Sequence, residues 1–246
     1  MVFSSIPFLF FFLPIFLILY YLSPFKLKNI ILLIFSLIFY AWGEPEFVVI
    51  MCISIVFNYF CALRIEELIG QNALQKIMLT IAVMGNLGLL FVFKYTNFVI
   101  SSLHHFIPKT EEIIGQTNIV LPIGISFFTF QALSYIIDVY RGLPAQKKLG
   151  YLGLYIAFFP QLIAGPIVRY TTIMDQIEKR KITMTSFSQG MLRFLYGFNK
   201  KILLANILSE TADKAFAASE VSVTMAWLGA VCYTLQIYFD FSGYSE

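Results

Sequence analysis

Phe47-Val48-Val49-Ile50-Met51-Cys52-Ile53-Ser54-Ile55-Val56-Phe57-Asn58-Tyr59-Phe60-Cys61-Ala62-Leu63 runs seventeen residues without a charge, between Glu46 and Arg64. Ile77–Phe93 repeats the pattern, seventeen uncharged residues between Lys76 and Lys94. Each sits at the lower bound of about 17 residues that a helix needs to cross a hydrocarbon core. Further uncharged runs follow at Phe3–Leu22, Ile30–Ala41, Ile119–Ile137, Leu149–Val168 and Val221–Phe239. In lipid only helices and closed barrels satisfy the backbone, and barrels lack long continuous apolar runs, so the fold class is all-α: a polytopic transmembrane helical bundle.

Composition agrees. The chain is 59% hydrophobic and 13% charged, with a mean hydropathy of +0.80, where soluble domains carry about 25% charged residues. Apolar runs recur from end to end, which predicts a single integral membrane domain over residues 1–246. A net charge of +3 is too small to suggest nucleic acid. Cys52, Cys61 and Cys232 lie within apolar stretches without CxxC spacing and read as small buried apolar residues rather than a metal or disulfide framework. No metal site is expected.

Charge distribution orients the spans. Residues 1–25 carry no charge, and the first cations, Lys26 and Lys28, come after the apolar run. A cleavable signal peptide has its basic region first, so this is an uncleaved span with an extracytoplasmic amino terminus. The positive-inside rule then puts Lys26, Lys28, Arg64, Lys76, Arg141, Lys147 and Lys148 in the cytoplasm, with Glu44, Glu46 and the 94–118 loop outside. Leu149–Val168 breaks the count, with Lys147 and Lys148 before it and Arg169, Lys179, Arg180 and Lys181 after it. Its middle holds Phe159-Pro160-Gln161-Leu162-Ile163-Ala164-Gly165-Pro166, irregular backbone that membranes tolerate only where it is buried in protein or lines a cavity. A re-entrant, cavity-lining segment is expected, against a plain kinked span. Phe187–Leu208 places Phe187, Met191, Phe194, Leu195, Phe198 and Ile202 on one helical face and Gln189, Arg193 and Lys200 opposite. That predicts an interfacial amphipathic helix, or a cytoplasmic helix packed on the bundle.

Polar groups inside spans are costly and are functional candidates by default. Pro122, Gly124, Ser126, Thr129 and Gln131 form one cluster at a loosened helix start; back-bonding to the preceding turn is the ordinary role of Ser126 and Thr129. Asp138 and Arg141 are spaced for an i,i+3 surface pair. Asp240, after nineteen uncharged residues and between Phe239 and Phe241, could bind a substrate group, cap a helix, or pair with a cation from elsewhere. His104 and His105 sit beside Pro108 in the 94–118 loop with nothing to suggest a pocket, so they read as interfacial or solvated. No GxSxG, Walker, HExxH or nucleophilic cysteine motif occurs.

Met1-Val2-Phe3-Ser4-Ser5, Phe39-Tyr40-Ala41-Trp42, Phe57-Asn58-Tyr59, Phe93-Lys94-Tyr95, Leu121-Pro122-Ile123-Gly124-Ile125-Ser126-Phe127, Ser134-Tyr135-Ile136-Ile137-Asp138-Val139-Tyr140-Arg141-Gly142, Pro160-Gln161-Leu162-Ile163-Ala164-Gly165-Pro166-Ile167 and Asp240-Phe241-Ser242-Gly243-Tyr244-Ser245 occur in this order. Together they resemble the membrane-bound O-acyltransferase (MBOAT) family, in its alginate O-acetylation branch. The resemblance implies transfer of an acyl group, commonly acetyl, from a cytoplasmic donor to a hydroxyl of an extracytoplasmic polysaccharide such as alginate or another cell-envelope glycan. Acetyl-CoA or an acyl carrier would be the donor, with no bound cofactor. The bilayer, the polysaccharide acceptor and periplasmic acetylation proteins would be the partners, and the bacterial inner membrane the location. A D-alanyl group stays open.

The family's bundle is hollowed by a funnel, and Pro122, Gly124, Ser126, Gln131, Pro160, Gln161, Gly165, Pro166, Asp240, Ser242 and Gly243 are the candidates for its wall. The family's catalytic histidine lies downstream of the Asp240–Ser245 motif, so no catalytic residue is assigned in this chain. It is expected to be an amino-terminal portion, inactive alone. The competing expectations are a non-enzymatic transporter or flippase subunit, for which no inverted repeat is found, and an acyltransferase-like scaffold.

Overall fold

A computed structural model describes residues 3–106, 119–162, 168–180, 182–218 and 220–246. Among them there is no strand, and the protein is an all-α, multi-pass membrane helical bundle. Among the described residues, three helices are long and apolar enough to cross a membrane: α2 (Phe25–Gly43), the Pro45–Glu67 segment that contains α3 (Val48–Glu67), and α4 (Asn72–Lys94). α1 (Phe8–Leu22) and α6 (Ile125–Tyr140) are shorter apolar helices. Between α4 and α6 lies α5 (Thr96–Phe106). α7 (Leu149–Ala157), α8 (Phe159–Leu162), α9 (Tyr170–Lys179), α10 (Met184–Asn199), α11 (Asn206–Ala217) and α12 (Val223–Ser245) complete the order.

The described residues form two compact units. The first comprises the described residues within 18–162 and 168–177. Its α6 packs on α3 and α4, and α7 packs on α2 and α3. On α3, Met51, Ile55, Asn58, Ala62 and Ile65 are buried, while Val49, Ile53 and Phe60 are exposed. Such an outward apolar face suits lipid rather than water. Across α3 and α4, fully buried Asn58 and Asn86 donate to each other's amide oxygens at 3.0 and 2.8 Å. Each also donates to the carbonyl four residues back, Ser54 or Ala82. Both amides are thereby satisfied inside the membrane, and the contact fixes the register of two otherwise greasy helices.

Charges sort to the two ends of this unit. Lys147 pairs with Glu66, the Tyr59 hydroxyl donates to the Lys147 carbonyl, Gln75 donates to Ile65 O, and Asn29 donates to Ile177 O. Arg64, Lys76, Lys147 and the start of α2 therefore share one end. Glu44, which accepts from the Ile123 amide at 2.8 Å, marks the other.

Four boundaries differ from the sequence reading. Ile30–Ala41 extends to the whole of α2, and Lys28 is a buried part of it, donating to Tyr20 O at 2.8 Å with its ammonium 4.5 Å from the Tyr20 ring centre. Ile119–Ile137 is not helical from its start, because Gly124 adopts φ +74° and α6 begins only at Ile125. Leu149–Val168 is broken: α7 has nine residues, about 13.5 Å at 1.5 Å per residue, less than half a hydrocarbon core. The Val221–Phe239 run begins its helix at Val223, where the Ser222 hydroxyl caps Met225 N, and continues through Asp240 to Ser245.

The second unit comprises the described residues within 3–17 and 178–246. α10 and α11 are joined by a π-helical stretch, Lys200–Ala205, and both pack on α12. Close approach depends on glycine. A Cβ on Gly197 would lie 2.4 Å from Gly243 O, and one on Gly229 would lie 2.7 Å from the Ala215 Cβ.

Candidate functional site

In the first unit the site is organised by the break after α7. The Phe159-Pro160 sequence turns the chain at Phe158 (φ −56°, ψ 108°), and Pro160 then sits in the first turn of α8, where its missing N–H is harmless. A continuous helix would bond the Phe159 amide to the Tyr155 carbonyl. Here the Phe159 amide donates to the Ser36 hydroxyl at 3.2 Å, and the Tyr155 carbonyl accepts from Gln131 Nε2 at 2.5 Å. Ser36 is fully buried and Gln131 is 2% exposed. Two buried side chains, from α2 and α6, thus replace both halves of one lost helical bond. That is how irregular backbone survives at membrane depth.

The turn ahead of α6 closes on the same place. Glu44 holds the Ile123 amide, and a Cβ on Gly124 would lie 2.7 Å from the Leu162 carbonyl oxygen. Only glycine fits a positive φ against a neighbouring carbonyl. The structure therefore brings together Pro122, Gly124, Pro160 and Gln161, with Gln131 tied to the adjoining end of α7. Pro122 is buried, Ser126 half-buried and Pro160 exposed. Gly165 and Pro166, with Ile163, Ala164 and Ile167, lie outside the described residues, as does Pro108.

Below the break, Tyr155 and Tyr170 rings lie 5.1 Å apart edge to face, as do Tyr135 and Tyr170. The Tyr135 hydroxyl accepts from the Gln146 amide, Gln146 Nε2 donates to the Tyr170 hydroxyl at 2.7 Å, and the Tyr155 hydroxyl donates to Val168 O. Sequence reasoning missed this buried trio and its glutamine. A tyrosine and a glutamine recurring beside apolar runs was the available signal.

Several buried polar atoms have no partner: Tyr40 Oη, Thr129 Oγ1, Asp138 Oδ2 and Gln161 Nε2. The back-bond expected for Thr129 therefore does not form. Asp138 and Arg141 do not pair either; four ion pairs occur among the described residues, and this is not one of them. His105 is exposed with its ring 5.5 Å from Phe106, and His104 Nε2 is enclosed without a partner. No group of three metal-ligating side chains occurs among the described residues.

In the second unit Asp240 lies inside α12, so it caps no helix. It pairs with a cation from elsewhere: Lys201 Nζ is 2.6 Å from its Oδ1. Lys200 Nζ donates to the Ser242 hydroxyl at 3.0 Å and pairs with Glu246 at 2.5 Å. Lys200 therefore faces α12 rather than lipid headgroups, which corrects the amphipathic assignment for that residue; Phe187, Met191, Phe194 and Phe198 remain on one half-covered face, with Gln189 and Arg193 exposed. The Lys200 ammonium holds the Glu246 carboxyl below its usual range. Consecutive lysines both reach one helix at the point where the π-helical stretch begins, and π-turns recur at functional sites. Lys201, directly after Lys200, was the overlooked signal. On α12 an open groove of about 510 Å3 is lined by Thr234, Ile237, Tyr238, Phe241, Ser242 and Ser245. Asp240, Ser242 and Gly243 thus share one cluster within this unit.

Residues 148–246 match the model of the membrane-bound O-acyltransferase (MBOAT) family. Over its full length the chain is 46% identical to the probable alginate O-acetylase AlgI of Azotobacter vinelandii, covering 50% of that protein. It is also 46% identical to the probable alginate O-acetylase AlgI of Pseudomonas aeruginosa, covering 48% of it. It is 31% identical to the peptidoglycan O-acetyltransferase of Helicobacter pylori, covering 52% of that relative. The chain spans about half the length of the curated relatives it matches.

Proposed function

The chain belongs to the membrane-bound O-acyltransferase family, and from that premise we propose that it forms the amino-terminal part of an O-acyltransferase acting on a cell-envelope polysaccharide. The group transferred is acetyl, and the acceptor is a hydroxyl of alginate or a related glycan on the outer side of the membrane. The observation that carries this reading is 46% identity over the full length of the chain to a protein described as a probable alginate O-acetylase.

The residues fit the role of funnel wall and support. Gly124, Gln131, Pro160 and Gln161 surround a patched helix break, and a break of this kind belongs where backbone lines a cavity. Asp240, held by Lys201, Ser242, held by Lys200, and Gly243, packed on Gly197, supply a landing for the chemistry rather than the chemistry itself. A histidine acting as general base on the acceptor hydroxyl would come from the second half that the relatives possess. The donor is acetyl-CoA or an acyl carrier, reaching the site from the cytoplasm. Clustering of Arg64, Lys76 and Lys147 at one end of the first unit supports a cytoplasmic placement of that end, with the amino terminus outside and the protein in the bacterial inner membrane. Periplasmic acetylation proteins are proposed as partners.

The test joins residues 1–246 to the carboxy-terminal half of the Azotobacter vinelandii relative, in cells that lack that relative. The chimera restores O-acetyl esters on the polysaccharide, and residues 1–246 alone do not. A membrane-inserted chimera that yields no ester, or an ester formed by residues 1–246 alone, contradicts the proposal.

A further inference from the structure

Of the 23 residues of α12, Gly229 and Cys232 alone are buried. They lie on the side that packs on α10 and α11, where Gly229 meets Ala215 and Gly243 meets Gly197. On the roughly opposite side, Trp227, Val231, Thr234, Tyr238, Phe241 and Ser245 follow one another at alternating spacings of four and three residues, and all six are exposed. That alternation is the seam by which one helix seats its side chains in the holes of another, crossing at about 20°. The end of the row nearest Ser245 opens into the groove of about 510 Å3, whose lining includes Thr234, Tyr238, Phe241 and Ser245.

The chemistry of the row suits a helix better than lipid or water. It carries no charge, and Trp227 is 69% exposed. The Thr234 hydroxyl donates to Ala230 O at 2.8 Å and the Ser245 hydroxyl to Ser242 O at 3.0 Å, so both side chains are small, satisfied within α12, and allow another backbone to come close. Tyr238 holds a hydroxyl in the middle of the row and is 64% exposed. Acyl chains would leave that hydroxyl unanswered at a cost, whereas a neighbouring helix can answer it with a carbonyl or hydroxyl oxygen. The source of such a helix follows from length. Relatives 46% identical over the whole chain are about twice as long, and their further helices must pack on the part that matches.

We propose that this row of α12 is the docking face for an apolar helix from the half of the protein that the relatives possess beyond the matched part, with a hydrogen-bond acceptor set against Tyr238. This rests on the reading of the chain as the amino-terminal part of an O-acyltransferase and goes further, by naming the surface on which the other half is seated.

The experiment compares thermal unfolding of residues 1–246 with that of the chimera described above, both in detergent micelles, for the unsubstituted protein, Thr234→Trp, Ser245→Trp and Leu228→Trp. Thr234 and Ser245 lie in the row, whereas Leu228 is exposed on its flank. A large ring wedged into a packed seam should lower the melting temperature of the chimera by ~3 °C. Thr234→Trp and Ser245→Trp are expected to do so in the chimera and to leave residues 1–246 unchanged, and Leu228→Trp is expected to change neither. Equal melting temperatures for all chimeras overturn the docking face and leave the row to lipid. A loss already present in residues 1–246 that varies with protein concentration assigns the row to a second copy of the chain and likewise overturns it. Ester formation by the unsubstituted chimera is scored separately. Its absence tells against the acyltransferase reading, whereas the melting comparison judges the docking face whether or not ester forms.

Discussion

Gln131→Met removes the donor that holds the Tyr155 carbonyl, and Ser36→Ala removes the acceptor that holds the Phe159 amide. Each leaves a buried backbone group unpaired, because Tyr155 is fully buried and Phe159 is 4% exposed. An orphaned buried group costs about 1–3 kcal/mol, so each single substitution should destabilise the first unit by ~2 kcal/mol. Met nearly preserves the volume of Gln, which keeps the cavity contribution small. The double variant carries the sharper expectation. The two orphaned groups are the halves of one 155–159 helical bond, so together they can close on each other. The double variant should therefore cost at least ~1 kcal/mol less than the two singles added. Reversible unfolding in mixed micelles, read as a double-mutant cycle, measures this. Additive singles and double, within ~0.5 kcal/mol, refute the idea that these side chains patch a common break.

Other expectations follow from the same geometry. Asn86→Ala removes both interhelical bonds to Asn58 and should cost ~2 kcal/mol, from about 0.6 kcal/mol for each bond plus the stranded amide, with Asn58→Ala/Asn86→Ala again less than additive. Gly124→Ala meets both a positive φ and the Leu162 carbonyl, and should lower the melting temperature by an amount equivalent to at least ~1–2 kcal/mol. Gly197→Ala should prise α10 from α12, seen as faster hydrogen exchange around Gly243, whereas Gly190→Ala, with open space at its Cβ position, should not. The Glu246 carboxyl is held low by Lys200, so their contact is present above the ordinary glutamate range and lost as pH falls through the depressed value. A carboxyl NMR titration should show Glu246 titrating below free glutamate, and Lys200→Met should move it back up.

Much of the fold was legible in the sequence because lipid demands long uncharged runs: Phe47–Leu63 and Ile77–Phe93 became α3 and α4 with little change. Pro160 and Gly124 announced breaks, and both occurred. What the sequence could not reveal was compensation at a distance. Ser36 and Phe159 are 123 residues apart, so nothing local distinguishes Ser36 from any small helical polar residue. Of the roles left open for Asp240, the sequence could not choose for a similar reason. An acid after an apolar run looks like a helix boundary, yet with Lys201 2.6 Å away its charge is compensated and α12 continues to Ser245. Lys28 reads as a cytoplasmic flank in sequence but is buried against Tyr20, where a carbonyl and a ring face satisfy its ammonium.

The most direct measurement of the central claim is transfer of labelled acetyl from acetyl-CoA or an acetylated carrier, supplied on the cytoplasmic side of sealed vesicles, to polysaccharide on the opposite side. The vesicles carry residues 1–246 joined to the carboxy-terminal half of the Azotobacter vinelandii relative. Label recovered as an alkali-labile ester on the polysaccharide is the predicted result. Inserted chimera with either donor saturating and no ester label on the far side would contradict the account.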